Sequence, residues 1–307
     1  MSTAIFAEQF LNGVQLGILL FLLAAGLTLV FGIMDLVNLA HGSIYMVGAF
    51  LAATFVDWSG SFVLGVLLAL PATLLVGLVV EMVALRTLYA RGHLDQVLAT
   101  FGLILFFNEA VRLVWGPAGL AVPLPQFLSV SVPLPLGIDY PVYRLAIIAV
   151  GLLVALGLYW LVARTRLGML IRAGASNRTM AGALGVDIKL LFTLVFGLGA
   201  MLAGLAGMMV APIGLAQTGM GEHVLILAFV VIVIGGIGSI RGAFVAALFA
   251  GVIDTMGRAF LDDLLNLFLS PVASSTAAPA LSSMAVYILM AVVLFFRPQG
   301  LFAPRGG

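Results

Sequence analysis

Long apolar runs without a single charge constrain this sequence more than any other feature. Residues 10–33 and 191–213 contain no Asp, Glu, Lys or Arg. About 20 apolar residues in helical form cross the hydrocarbon core of a bilayer, so each run is long enough to span one. Long apolar runs, some carrying one to three charges, recur at about 10–33, 41–56, 62–85, 95–115, 142–163, 191–213, 222–239, 242–260 and 281–296. Across the 307 residues, 64% are hydrophobic and only 8% are charged. A soluble domain carries about 25% charged residues, so a water-soluble surface cannot be built. Disorder is excluded as well, because disordered chains are polar and charge-rich. A membrane barrel would show alternating strands of about ten residues, much shorter than these runs. The expected fold is all-α, a polytopic integral membrane helical bundle of about 8–9 transmembrane helices. The second run is short and follows Asp35, Asn38 and His41, which predicts a broken or partly re-entrant helix.

Basic residues set the orientation. With 86–94, 164–190, 240–241 and the tail after 296 on the cytoplasmic side, that side holds Arg86, Arg91, Arg164, Arg166, Arg172, Arg178, Lys189, Arg241, Arg297 and Arg305. These are ten of the thirteen basic residues. Arg112, Arg144 and Arg258 fall opposite. The C-terminus is therefore expected in the cytoplasm and the N-terminus on the other face. No Lys or Arg precedes the first run, and a secretory signal needs a basic start, so the first span is expected to be retained. The outer face is expected to carry 57–60, the Pro-rich stretch 117–141 and the Ser/Ala/Pro stretch 270–280 as extended loops. The whole of 1–307 reads as one membrane domain without an internal repeat.

Several chemistries drop out. There is no cysteine, hence no disulfide, thiolate catalysis or Cys-ligated zinc. A phosphate-binding loop needs Gly-rich sequence followed by Lys and Ser or Thr. The one lysine, Lys189, stands between Ile188 and Leu190, so ATP would have to be hydrolysed by another chain. The run from Gly235 to Gly242 has the wrong spacing for a dinucleotide fingerprint and no strand before it. Its glycines instead suit a close-packed or broken membrane segment. His41, His93 and His223 are far apart, with no metal-ligand spacing, and no catalytic set is visible. No metal, cofactor or nucleic-acid partner is expected, and the net charge of +1 agrees with the last. Glu109 with Arg112 and Asp254 with Arg258 have helical spacing and read as local neutralisation. No chain of carboxylates crosses the bilayer, which weakens a proton relay.

Polar residues at membrane depth are functional candidates. Asn38, His41, Gly42 and Asn108, with a break at Gly235, Gly236 and Gly238, are those candidates, and in a transporter they would line the translocation pathway. For Asn38 and His41 a helix-packing hydrogen bond is an equal alternative. The small residues of 197–207 permit close helix contact, either inside the bundle or at a dimer seam.

The stretch 164–190 is too structured for a plain connector. Ser176 or Asn177 can cap a short helix, and Gly185 stands where a C-cap glycine belongs. Met180, Ala183, Leu184 and Val186 then form an apolar patch in need of cover. It is either a membrane-surface helix anchored by arginines to lipid or a docking element for a cytoplasmic protein.

Several motifs, taken in order and spacing, resemble a known family. They are Asn38-Leu39-Ala40-His41-Gly42, then Arg164-Thr165-Arg166-Leu167-Gly168, then Ala181-Gly182-Ala183-Leu184-Gly185-Val186-Asp187. Leu202-Ala203-Gly204-Leu205-Ala206-Gly207, Gly235-Gly236-Ile237-Gly238-Ser239 and Phe296-Arg297-Pro298-Gln299-Gly300 follow. The chain resembles the membrane-spanning permease subunits of bacterial ABC importers for branched-chain and other hydrophobic amino acids, over nearly its whole length. The resemblance implies a place in the bacterial inner membrane, two cytoplasmic ATPase subunits, a second and usually different permease subunit, and a periplasmic solute-binding protein. It implies solutes such as branched-chain amino acids, amides, urea or aromatic carboxylates. It also implies that the ATPases are coupled through Ser176, Asn177, Met180, Ala181, Gly182, Ala183, Leu184, Gly185 and Val186. Arg241 departs from the pattern, standing where proline or another small residue is expected. The rival reading is a secondary transporter or channel that works without ATPases. An intramembrane enzyme ranks third, for want of a clustered catalytic set.

Overall fold

The computed structural model describes residues 3–135 and 137–302; Arg305, counted above with the basic tail, lies outside the described residues. The chain runs α1 (Thr3–Met34), α2 (His41–Ser59), α3 (Phe62–Val80) and α4 (His93–Trp115). After α5 (Gln126–Ser129) come two short strands, β1 (Ser131–Leu134) and β2 (Ile138–Pro141), then α6 (Val142–Arg164), α7 (Arg166–Ser176) and α8 (Arg178–Ala183). Four helices complete it: α9 (Ile188–Val210), α10 (Met220–Gly235), α11 (Ile240–Leu265) and α12 (Pro271–Phe296). Among the described residues, seven helices are long and apolar enough to cross a membrane: α1, α3 with its extension to Leu88, α4, α6, α9, α11 and α12. The shorter α2 and α10, of 19 and 16 residues, complete the nine apolar runs read from the sequence.

The second run is not a broken helix: α2 is continuous over 19 residues, and the interruption lies ahead of it. α1 stops at Met34, Asp35 takes a left-handed backbone (φ 52°), and the Asn38 side-chain oxygen accepts from the Ala40 amide at 3.0 Å. That local turn satisfies a backbone donor without helix, and α2 then starts at His41. Two expectations about the outer face need correction. Residues 271–280 are not loop: Ser270 accepts from the Ala273 amide at 3.4 Å, Pro271 occupies the first helical turn, and α12 runs on through Pro279. Proline suits the first turn because its missing N–H would have had no helical partner anyway, and the sequence reading took this start signal for a loop signal. The stretch 117–141 is not wholly extended either. It holds α5 and the antiparallel β1–β2 pair, with Val132 opposite Tyr140.

α1 is the central helix. From Ile18 to Val30 it is buried on every side, as expected for a helix apolar all round. It packs on α9, α11, α6 and α10. Small residues let the backbones meet. A Cβ on Gly26 would lie 2.6 Å from the Gly199 oxygen, and one on Gly17 would lie 2.8 Å from the Ala247 oxygen. Gly48 meets Gly204, and Gly207 meets Tyr45. The small residues of 197–207 thus serve packing inside the bundle, one of the two uses the sequence allowed. The neighbour pattern also repeats, which the sequence did not reveal. α1 packs on α9 and α11 as α9 packs on α1 and α3, and α2 packs on α3 and α4 as α10 packs on α11 and α12. Gly26 faces Gly199 and Gly42 faces Gly221 across the two halves.

Candidate functional site

Three features stand out: a polar point at the centre, an ionic clasp near the arginine-rich end, and a foot beyond that end.

The central point is the α1–α2 break. Asn38 and His41 are both fully buried (0% exposed). Neither His41 ring nitrogen, nor the Asn38 amide nitrogen, finds a partner in hydrogen-bond geometry. The Leu23 backbone approaches the His41 ring without closing to a good bond. Gly26 makes room for that ring, since a Cβ there would come 2.9 Å from Nε2. Gly42, next in sequence, meets Gly221 at the start of α10. Buried polar groups normally find partners, which makes this the most distinctive polar point of the bundle interior.

Asn108 is not part of that point. It is half-buried on α4, where its amide donates to Glu222 of α10 at 2.6 Å. Gly235, Gly236 and Gly238 form the α10–α11 turn. Gly236 and Gly238 have left-handed backbones (φ 100° and 83°), and the C-terminal segment binds the turn through Leu301 N to Ile234 O (2.8 Å) and Phe302 N to Gly235 O (3.0 Å). The expected pathway residues thus divide into three places, of which only Asn38, His41 and Gly42 share one.

The clasp was missed in the sequence. Glu81 is fully buried and accepts from Arg86 through both oxygens (Nε 3.2 Å, Nη2 3.0 Å). It also accepts from the Tyr89 hydroxyl at 2.6 Å and from Thr193 of α9 at 2.9 Å. Arg86 donates to Thr193 at 2.9 Å. Residues 81–85 form a π-helical turn, a feature found often at functional sites. That turn brings positions i and i+5 together, whereas the sequence search tested the α-helical spacings of three and four. Burial, reinforced by the hydrogen bond to the Glu81 carboxylate, pushes the Tyr89 phenol well above its ordinary pKa. The clasp ties the end of α3 to the first turns of α9. Of the two pairs that the sequence did identify, Glu109–Arg112 is an exposed contact at 3.1 Å. Asp254–Arg258 at 2.9 Å has a buried carboxylate.

The foot consists of α7 and α8. The sequence placed only a short helix here, over 179–184. In fact Thr165 accepts from the Gly168 amide (3.1 Å) and starts an eleven-residue helix first. α7 folds back against the end of α6: a Cβ on Gly168 would overlap the Leu161 and Val162 carbonyls. Gly174 lets it approach Leu191 of α9. Ser176 is the last residue of α7, so Asn177 is the cap of α8, accepting from Met180 N at 2.9 Å. α8 ends as the glycine predicted, with Gly185 left-handed (φ 92°) and Val186 N reaching Ala181 O at 3.1 Å. This is the six-to-one bond of a Schellman turn. Asp187 then caps α9 through Leu190 N at 3.0 Å. Only Ala181 of the short helix is buried. Met180 and Leu184 stand 58% and 79% exposed, with Gly182 and Ala183 beside them, and Val186 is half-buried. The result is an apolar knob on a firmly capped base.

The chain was compared with known proteins. Residues 9–294 match the family model for the permease component of branched-chain amino acid transport systems. The chain is 31% identical to the high-affinity branched-chain amino acid transport system permease protein BraD of Pseudomonas aeruginosa, over 96% of this chain and 95% of that protein. It is 28% identical to the permease protein LivH of Escherichia coli K12, covering 83% and 87%. A more partial likeness, 33% identity over 53% of this chain and 48% of the relative, links it to the autoinducer 2 import system permease protein LsrC of Klebsiella pneumoniae. No solved structure matches.

Proposed function

Given that the chain belongs to the family of branched-chain amino acid transport permease components, we propose that it lines the path of a branched-chain amino acid, or a related amide or carboxylate, through a bacterial inner membrane. In this reading it works with a second permease chain, two cytoplasmic ATPase subunits and a periplasmic solute-binding protein. The C-terminus and the arginine-rich end face the cytoplasm, and the N-terminus faces the periplasm. The observation that carries the reading is the capped apolar knob at Met180 and Leu184, on a chain with no phosphate-binding loop of its own.

Force must reach the bundle through something stiff that takes two positions. A push on α8 passes through Asp187 into α9. From α9 it passes through Thr193 to Glu81 and Arg86, and so to α3. α9 also lies against α1 and α2, the two helices that flank the Asn38–His41 break. The proposed pathway set is the break with Gly42 against Gly221, extended by Asn108 and Glu222. The glycine turn at 235–238 serves as the cytoplasmic pivot. In this reading Asn38 and His41 offer polar atoms to a solute that enters between the helices. Small apolar solutes suit a route with few fixed charges.

Purification from native membranes in mild detergent tests the assembly. ATPase chains and a second permease should accompany this chain in stoichiometric amounts, and Met180→Glu should shed the ATPases while keeping the second permease. A chain recovered without ATPase subunits in an active state contradicts the proposal and favours a secondary transporter.

A further inference from the structure

α6 and α11 both lie against α1, and a groove of about 1090 Å³ runs between them at the arginine-rich end. Its size exceeds the range of about 300–1,000 Å³ typical of small-molecule pockets. Phe21 of α1 lies at its base, edge-to-face with Phe244 of α11 at 5.0 Å. Leu156 and Tyr159 of α6 are 65% and 49% exposed along it. The lining is almost entirely apolar apart from the mouth, where Arg172 and Arg241 stand.

Those arginines are the informative part. The Arg241 guanidinium sits 5.0 Å from the centre of the Tyr159 ring and donates to its hydroxyl at 3.3 Å, so it reaches from α11 to α6. Arg172 donates one nitrogen to the Val162 carbonyl at the end of α6. Neither forms an ion pair; among the described residues the salt bridges are those of Arg86, Arg112 and Arg258. Two guanidiniums are thus steered to one end of an apolar trough with most of their donors uncommitted. An apolar neighbouring helix would fill the trough and leave both charges unanswered. A molecule with an apolar tail and an anionic, multi-oxygen head answers both, and arginine matches phosphate oxygens in geometry as well as charge.

We infer that this groove binds an anionic phospholipid, its acyl chain along α6 and α11 and its headgroup phosphate held by Arg241 and Arg172. In the proposed orientation the mouth opens to the cytoplasmic leaflet, which carries negative surface charge. The groove lies apart from the Asn38–His41 break but shares Gly238 with the proposed pivot, and a lipid there makes the packing of α11 on α1 sensitive to membrane composition.

The test is lipid titration of the detergent-solubilised full chain, read by native mass spectrometry. Phosphatidylglycerol and phosphatidylcholine with identical acyl chains are compared. The wild type should prefer phosphatidylglycerol. Arg241→Gln and Arg172→Gln should each lower that preference about fivefold, and Arg241→Lys should keep most of it. Ala155→Trp, which fills the groove, should weaken both lipids. Equal binding of the two lipids, or a preference unchanged in the double Gln variant, overturns the inference. So does a disulfide from Leu156→Cys to a cysteine on the second permease in native membranes, since that puts protein in the groove. The natural chain has no cysteine to confuse that readout.

Discussion

Leu184→Glu cuts solute uptake at least about tenfold, the loss expected when a buried interface anchor is removed, and leaves the fold intact. Leu184 is 79% exposed in the free chain, and surface substitutions of that kind usually change stability by no more than about 0.5 kcal/mol. The two effects are therefore separable: membrane abundance and thermal midpoint stay at wild-type values while transport falls. The position is informative because the base under it is rigid. Asn177 caps α8 at one end, the Gly185 turn closes the other, and α7 is pressed against the end of α6. A charge on the knob disturbs the proposed ATPase contact and little else. Uptake measured in whole cells, normalised to the amount of chain in the membrane, checks this. Wild-type uptake by the Glu variant would remove α8 from the mechanism.

Gly221→Leu gives the largest loss of stability. A Cβ on Gly221 would overlap the carbonyl of Gly42, and one on Gly42 would overlap the carbonyl of Gly221. Both obstacles are backbone, so no side-chain rotation relieves them. Overpacking costs about 1–3 kcal/mol; Gly221→Ala falls in that range and Gly221→Leu exceeds it. The contact joins the two halves of the repeated neighbour pattern beside Asn38 and His41, so α2 and α10 must separate to admit the larger residue. Gly157→Ala is the matching control, because nothing lies within 4 Å of a Cβ there. It should raise the midpoint slightly through helix propensity. Thermal unfolding in detergent reads both, and a Gly221→Leu chain as stable as wild type would refute the packing argument.

The all-helical membrane fold was legible because charge-free apolar runs have few structural uses. An interruption near Asp35, Asn38 and His41 was legible too, although it falls ahead of α2 and not within it. The cap and closing glycine of α8 followed from local rules that need no tertiary contact. What stayed hidden depended on geometry that spacing does not encode. Glu81 and Arg86 are five apart and pair only because the helix takes a π turn there, and Thr193 joins them from a distant part of the chain. Pro271 is a helix start in this structure and a loop marker in isolation. Asn108 and His41 both read as polar residues at membrane depth, yet one is half-buried and bonded to Glu222 and the other is sealed inside. The repeated packing of α1–α4 and α9–α12 left no periodic signal, since many apolar sequences satisfy the same contacts.

We propose that this chain moves solute only when separate ATPases drive it. The direct measurement is solute accumulation by proteoliposomes holding the co-purified assembly and its binding protein, with ion gradients collapsed by ionophores. Accumulation should require ATP on the side of the arginine-rich end and be indifferent to the ionophores. Accumulation by the chain alone, driven by an ion gradient and unaffected by ATP, would contradict it.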